Sequence, residues 1–531
     1  MLDAPWMSTI FVGVTLFFPL GLGIIGFVLL RFAGGPRVSR LMGLLTAVTS
    51  IILLILSILF ITTPPENPIR FYIGQPYLSI YIDSLSLYFI LIVNAIAFVA
   101  TWNALPYLES EKPSNLFQHP TFFYASVNFF HFTMVLVPMM DNLIGLWIAI
   151  ELTTLASAFL VGYTNTRNAW EAAWKYLIIT STGIIVAFLG TIFLVNAVPL
   201  TQTVDLQLLN WTHLVDLAKV DPHSWKTDFM QLSFIFIFVG YGTKAGLAPT
   251  HTWLPDGHGE APAPISALLS GVLLKSALYA ILRFYTITNI VMGDSRFTSI
   301  VMLTIGLFSL LLATPFIMKE NRFKRILAYH SLEHMGIITF GIGIGGPIAL
   351  AGALLHALNH AITKALMFLS YGNVLRQYRQ AHPNATDFDE TTITGVLRTM
   401  PITGTIMMIG GLALVGMPPF NIFMSEFIIL WGALTQFNET MVIPGWRWIV
   451  ITAVSLFLLS TALIFFGLVR HLSRLVLHKM EPEPTLQERP FQDLLPLFLL
   501  LGSVIVMGVW VIPALSTLIT KSVDIVLTGG M

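Results

Sequence analysis

Cysteine is absent from the chain. That removes disulfides, thiolate zinc sites and Cys-held iron–sulfur clusters, so any redox chemistry needs a partner or a His-held cofactor. Charge is scarce too: 10% of the 531 residues are Asp, Glu, Lys or Arg, too few to cover a soluble protein of this length. The charge present is balanced, 27 basic against 27 acidic side chains, which gives no electrostatic footprint for nucleic acid. No basic stretch precedes the first apolar run. The chain opens Met1-Leu2-Asp3-Ala4-Pro5-Trp6, unlike a secretory signal, so that run is expected to be a retained span.

Apolar residues make up 56% of the chain, and they come in runs long enough to cross a bilayer as helices. The class is an all-α polytopic membrane protein. Spans are expected at 10–31, 41–62, 84–104, 122–139, 142–162, 174–195, 230–253, 263–286, 298–317, 325–344, 346–375, 402–433, 447–469 and 492–517, about fourteen transmembrane helices in all. Two longer polar connections interrupt them. One, near 198–229, carries Asp205, Asp216 and Lys219; the other, near 376–400, carries Arg376, Arg379, Asp387, Asp389 and Glu390. Loop cations concentrate on alternate connections, such as Arg37 and Arg40, Arg322 and Lys324, or Arg470 and Arg474. By the positive-inside rule these loops are cytoplasmic and both termini are not. The aromatic residues Trp6, Trp211 and Trp446 suit interfacial anchors. Met417 and Met424 suit core filling, and the stretch from Lys479 to Arg489 with Pro482 and Pro484 suits a solvated loop.

Two spans look broken. One reads Gly242-Thr-Lys244-Ala-Gly246-Leu-Ala-Pro249, the other Gly410-Gly411 and then Gly416-Met-Pro418-Pro419-Phe-Asn421. Proline removes a backbone donor and clashes one turn back. A break at membrane depth is tolerated where it is buried or lines a wet cavity. The breaks fall in spans seven and twelve, the fourth members of two five-span groups, four to eight and nine to thirteen. An odd number of spans per group inverts the second relative to the first, the pattern of an inverted-repeat transporter. The chain then divides into 1–121 (three N-terminal helices), 122–290 (first repeat), 291–470 (second, inverted repeat) and 471–531 (cytoplasmic loop and C-terminal helix).

Ionisable residues inside these spans carry the functional signal, because a charge at the bilayer centre costs at least ~2.5–3.5 kcal/mol. Glu151 and Lys275 lie mid-span, Lys244 sits at the first break with His251 a few residues on, and Glu426 follows the second break. His356, His360 and Lys364 recur every fourth residue and so share one helical face. His330 and His334 flank Glu333 one span earlier. Any one of these suits a structural ion pair or a satisfied buried histidine. The whole set suits a proton wire, in which a lysine beside a carboxylate holds or releases its proton as the pair closes or opens, and histidines carry it onward. The four histidines could instead hold a haem b, but Lys364 on the same face suits a proton path better.

At these residues the sequence resembles the antiporter-like proton-translocating subunits shared by respiratory complex I, multisubunit Na+/H+ antiporters and membrane-bound hydrogenases. The likeness runs over roughly 80–430. It rests on Ile82-Asp83-Ser-Leu-Ser86, Glu151, Lys244-Ala-Gly-Leu-Ala-Pro249-Thr-His251-Thr-Trp253-Leu-Pro255-Asp256, Glu260-Ala-Pro262, Lys275, Arg325-Ile-Leu-Ala-Tyr329 and His356-Ala-Leu-Asn-His360-Ala-Ile-Thr-Lys364. Glu171-Ala-Ala-Trp-Lys175, Glu333-His334-Met-Gly336 and Met417-Pro-Pro-Phe-Asn-Ile-Phe-Met-Ser-Glu426 favour the F subunit of hydrogenase-4-type complexes. His330 and His334 depart from the small polar residues or Asn expected there. The chain also stops soon after span fourteen, without the long lateral helix of the family's largest subunit type.

The resemblance implies about fourteen helices in two inverted five-helix repeats. Glu151 and Lys244 would be the coupled pair of one half-channel, Lys275 with His356, His360 and Lys364 the central relay, and Glu426 the terminal site. It implies no cofactor and no metal in this chain. The implied partners are other membrane subunits, a peripheral soluble protein and the lipid bilayer of a bacterial or archaeal cytoplasmic membrane; protons are the cargo, with Na+ a further candidate. Three assignments stay open: a proton-translocating subunit of a hydrogenase-4- or complex I-like machine, the ion-conducting subunit of an inorganic-carbon-accumulating complex with a zinc-protein partner, and a subunit of a multisubunit Na+/H+ antiporter. Whether the assembly is an oxidoreductase depends on which holds.

Overall fold

The computed structural model describes residues 5–32, 35–64, 67–73, 78–109, 115–199, 206–381, 393–439, 446–478 and 487–530. Asp205, Asp387, Asp389, Glu390, Pro482 and Pro484 lie outside the described residues, and nothing is described of the Trp446 side chain. The described chain is almost wholly helical. Helices α1 (Pro5–Phe32) and α2 (Pro36–Thr62) lead into a hairpin, β1 (Ile69–Ile73) and β2 (Leu78–Ile82), and then α3 (Ser84–Glu109). The first broken-helix group is α4 (Pro120–Leu136), α5 (Leu143–Val161), α6 (Arg167–Ala197), a short α7 (Trp211–Val220), α8 (Thr227–Lys244) with α9 (Trp253–Glu260), and α10 (Ala263–Leu268) with α11 (Leu274–Met292). The second is α12 (Arg296–Lys319), α13 (Phe323–Ile344), α14 (Gly346–Ala381), a single turn α15 (Val396–Thr399), α16 (Pro401–Leu414) with α17 (Asn421–Glu439), and α18 (Trp446–Leu477). Helices α19 (Phe491–Val509) and α20 (Pro513–Thr528) close the chain. Ten of the described spans are long and apolar enough to cross a membrane, and the chain is an integral membrane protein.

Glycine sets how closely the helices approach, as expected where lipid-like surroundings leave packing rather than hydrophobicity to join them. A Cβ on Gly240 of α8 would lie 2.4 Å from the Ala187 nitrogen of α6, and one on Gly306 of α12 would lie 2.6 Å from the Phe340 nitrogen of α13. Residues 263–288 are buried without exception. They run through α10 and α11 with a π-helical turn at Leu269–Leu273 between them.

Both expected breaks are present, and their backbones follow one plan. In the first, the Ala245, Gly246 and Leu247 N–H groups bond to the carbonyls of Tyr241, Thr243 and Gly242. In the second, Val415, Gly416 and Met417 bond to Gly411, Ala413 and Leu412. Gly246 and Gly416 take positive φ, +76° and +70°, which glycine adopts at no steric cost. The Ala248–Pro249 and Pro418–Pro419 peptides are both cis. The prolines themselves are exposed on the outer surface of the chain. The breaks are tolerated because their polar groups are paired from within: Ala248 N–H donates to Ser309 Oγ at 3.0 Å and the Trp253 indole to the Thr243 carbonyl at 2.8 Å.

Several expectations need correction. The last span ends at Val509, and a separate helix, α20, follows a bend at Trp510–Ile512. The connection expected to be merely polar holds α7, whose first residue, Trp211, is 3% exposed. Trp211 is therefore a packed residue rather than an interfacial anchor: its ring lies against Tyr81 and over the Arg283 guanidinium, 3.9 Å away. Met417 is exposed at the second break and fills no core. The hairpin was not foreseen. It docks on the group through Ser79, whose carbonyl accepts from Asp141 N–H at 3.0 Å. Asp141 accepts in turn from the Thr212 N–H and hydroxyl, while burial pushes its carboxyl up from the usual range.

Candidate functional site

The central helix is α14. Its residues from Gly352 to Leu375 are buried without exception, because α3, α10, α13, α16, α17 and α19 all pack around it. Its every-fourth-residue polar face therefore meets neighbours on several sides. His360 meets α11: Lys275 Nζ donates to His360 Nδ1 at 2.5 Å and to the Ser270 carbonyl at 2.6 Å. That carbonyl lies within the π-helical turn, where i→i+5 bonding replaces the α-type pattern. His356 meets α13 and α17, with its Nε2 3.0 Å from His334 Nδ1 and its Nδ1 3.0 Å from Ser425 Oγ. The His334 ring also lies 4.8 Å from the His360 ring, centre to centre. Lys364 donates to the Leu327 carbonyl of α13 and interacts electrostatically with Glu333. Glu333 holds His330 Nδ1 at 2.6 Å. Lys364 and all four histidines have no exposed surface.

This arrangement joins the two broken-helix groups. Lys275 belongs to the first and His334, His356, His360 and Lys364 to the second, and they form a continuous run from Lys275 through His360, His334 and His356 to Ser425. Glu426 is the next residue on α17. Its carboxylate folds back over the second break: a Cβ on Gly416 would stand 2.5 Å from Glu426 Oε2. The positive-φ glycine thus serves the bend and clears space for the acid. The four imidazoles pack on one another rather than facing across a gap, unlike a pair of axial haem ligands.

In the first group Glu151 and Lys244, expected as a coupled pair that closes and opens, stand without a direct bond between them. Lys244 is buried, and its ammonium donates to the Ile150 carbonyl at 2.8 Å and to Thr154 Oγ1. Glu151 instead accepts from Ser181 Oγ of α6 at 2.6 Å, and its second oxygen is buried without a partner. The two charges act on each other through space without direct contact, because successive residues on α5 point to different sides. His251, at the end of the first break, is 7% exposed and its Nδ1 has no partner; no hydrogen bond joins its ring to the run.

Several polar groups in and around the site were not anticipated. Arg283 is 1% exposed and grips Asp83 through two bonds of 2.7 and 2.8 Å; a charge in an apolar run was the available signal. His258 is buried between Trp253 and Phe368. Ser270, Ser331, Asn359, Asn421 and Ser425 pair with one another or with the relay across helices, and nothing in the sequence marks them. Two trios come within metal-binding distance, His330–Glu333–His334 and His334–His356–Glu426, each with donor atoms within 4.8 Å of one another.

Residues 140–452 match the family described as NADH:quinone oxidoreductase/Mrp antiporter, TM. The chain is 34% identical over 415 residues to a hydrogenase-4 component F homolog of Methylacidiphilum infernorum (isolate V4), covering 78% of this chain and 82% of that one. Its fold is shared with a chain of the membrane-bound sulfane sulfur reductase, an archaeal respiratory membrane complex (TM-score 0.82, 21% identity, 98% of both chains). It is shared also with a chain of the Mrp complex from Dietzia sp. DQ12-45-1b (TM-score 0.80, 16% identity, 98% of both). This chain belongs to the NADH:quinone oxidoreductase/Mrp antiporter transmembrane family. It is an antiporter-like membrane protein resembling hydrogenase-4 component F.

Proposed function

We propose that the chain passes protons along the mid-membrane run of Lys275, His360, His334, His356 and Glu426, as a subunit of a multisubunit energy-coupling complex of the hydrogenase-4 or complex I kind. The observation that carries the reading is the Lys275–His360 hydrogen bond, which joins a lysine of one broken-helix group to a histidine of the other where no solvent reaches. In this reading Lys275 donates its proton to His360 Nδ1. The His360 and His334 rings, 4.8 Å apart centre to centre, hand it on by ring rotation or an intervening water, and the His334–His356 bond and Ser425 deliver it beside Glu426. Lys364, Glu333 and His330 form a side branch that sets the local charge. Glu151 and Lys244 load the first half-channel, and His251 at the break serves the same entry.

The one-for-one correspondence of the two breaks supports a repeat in which 122–290 and 291–470 are inverted copies. The proposal thus takes the chain as about fourteen spans, with the Arg322 loop cytoplasmic and both termini on the opposite side of a bacterial or archaeal cytoplasmic membrane. The relatives' own names place them in larger complexes, which supports membrane-subunit partners here; the proposal adds a peripheral soluble protein. The test is complex-driven proton uptake into proteoliposomes. Lys275→Ala and His360→Ala are each expected to cut the rate about tenfold or more with membrane levels unchanged. Wild-type uptake in both would leave these residues a purely structural role.

A further inference from the structure

We propose that His334, His356 and Glu426 form a binding site for a divalent transition cation, zinc by its ligand chemistry, where α13, α14 and α17 meet. The three donors come from three different helices, so the packing of the scaffold fixes their positions rather than a loop. Donor atoms of the trio lie within 4.8 Å of one another. His334 Nδ1 and His356 Nε2 are already 3.0 Å apart, close to the ~3.3 Å edge of a tetrahedron whose bonds to zinc are about 2.0–2.1 Å. An ion there would replace the proton these two nitrogens share.

The surroundings are built as they are around metal-binding histidines. His356 Nδ1 is tied to Ser425 Oγ at 3.0 Å, and that hydroxyl also accepts from Asn359 Nδ2 at 3.1 Å. Such outer contacts fix the ring and leave Nε2 for the ion. The second nitrogen of His334 is buried with no partner. Neither nearby ammonium competes for the trio: Lys275 is held by Ser270 and His360, Lys364 by Leu327. Two imidazoles and a carboxylate suit zinc, whereas Na+, Mg2+ and Ca2+ prefer all-oxygen shells. The other trio is weaker, because its donors come from a single helical turn and His330 is already bonded to Glu333.

The site's existence is independent of the transport reading; its consequence rests on it. An ion bound here occupies the nitrogens a proton would use, so zinc would halt proton flow. The experiment uses the purified, metal-stripped complex and Zn2+ alone. Expected are one zinc per chain, an X-ray absorption shell of nitrogen and oxygen with imidazole scattering, and affinity lowered about tenfold or more in His334→Asn and in Glu426→Gln. His478→Asn, on an exposed residue, should retain zinc as the unaltered complex does. No zinc retained by the unaltered complex, or equal retention in both ligand variants, overturns the site. Should those variants fail to assemble, the unaltered complex decides: an oxygen-only shell overturns it. Zinc held by the trio with transport at the zinc-free rate would leave the site standing and sink the relay reading, so the two failures are distinguishable.

Discussion

Asp83→Asn isolates one buried charge with almost no change in shape. In the native chain both carboxylate oxygens of Asp83 accept from Arg283, and one also accepts the Ser86 N–H that opens α3. Asparagine keeps an oxygen for the Ser86 cap and for one guanidinium nitrogen, but it removes the countercharge. Arg283 remains 1% exposed and has nowhere to rehydrate. Trp211 and Tyr279, whose rings lie 3.9 and 4.8 Å from the guanidinium carbon, face the cation, an interaction of the order of 2 kcal/mol when desolvated, but they do so equally in the native chain and offset none of the loss. Breaking a buried pair from one side costs about 3–5 kcal/mol, roughly a hundred- to a few-thousandfold in the folded-to-unfolded ratio. Asp83→Ala should cost about 1 kcal/mol more, through the lost cap. A double variant, Asp83→Leu with Arg283→Met, should recover most of the loss, since apolar replacement of both partners is often neutral or better. Denaturant titration of the detergent-purified protein reads all three. A single Asp83→Asn change with native stability, or a double variant worse than either single, would refute the account of this pair as a charge held only by its partner.

Two further outcomes follow from the geometry. Glu151→Gln and Lys244→Met are each expected to abolish most coupled proton uptake, while Glu151→Asp keeps part of it; because the two charges communicate only through space, Ser181→Ala, which frees the Glu151 carboxylate, should change the rate less than Glu151→Gln does, and full transport by Glu151→Gln would show that the carboxylate charge is not used. A reporter inserted after Asn321 should be cytoplasmic and one inserted after Pro222 should lie on the opposite side; both on one side would refute the orientation.

The breaks and the ionisable residues were legible because each violates the composition around it: a proline in an apolar run or a charge at bilayer depth needs a reason, and the sequence displays the violation. Lys275, His356, His360 and Lys364 could be placed on common faces from spacing alone. Their partners could not. Which carbonyl takes Lys275 depends on a π turn at Leu269–Leu273, and no residue type there announces one. Helix α7 was hidden because Asp216 and Lys219 made its stretch look like a solvated connection, whereas Trp211, Leu214 and Val215 bury one face of it. The Glu151–Lys244 contact was inferred from charge type. Deciding it required knowing that Lys244 reaches the carbonyl of residue 150 while the side chain of residue 151 turns towards α6.

The two breaks share a backbone plan yet carry their charge on opposite sides of it. Lys244 is the last residue of α8, two before Gly246; at the same place before Gly416 stands Leu414. Glu426 instead comes a turn into α17, at the place occupied after the first break by Asp256, which faces Lys175 and Arg325 in a polar cleft of about 370 Å³. In one group the intramembrane charge precedes the bend and looks towards α5; in the other it follows the bend and looks back towards α13 and α14. The acid after the second bend stands next to Ser425, at the end of the histidine run that begins with the lysine of α11. The Lys275–His360 bond is what joins the two groups, and the run of close contacts extends from Lys275 to Ser425 and stops short of Lys244, which is held by α5.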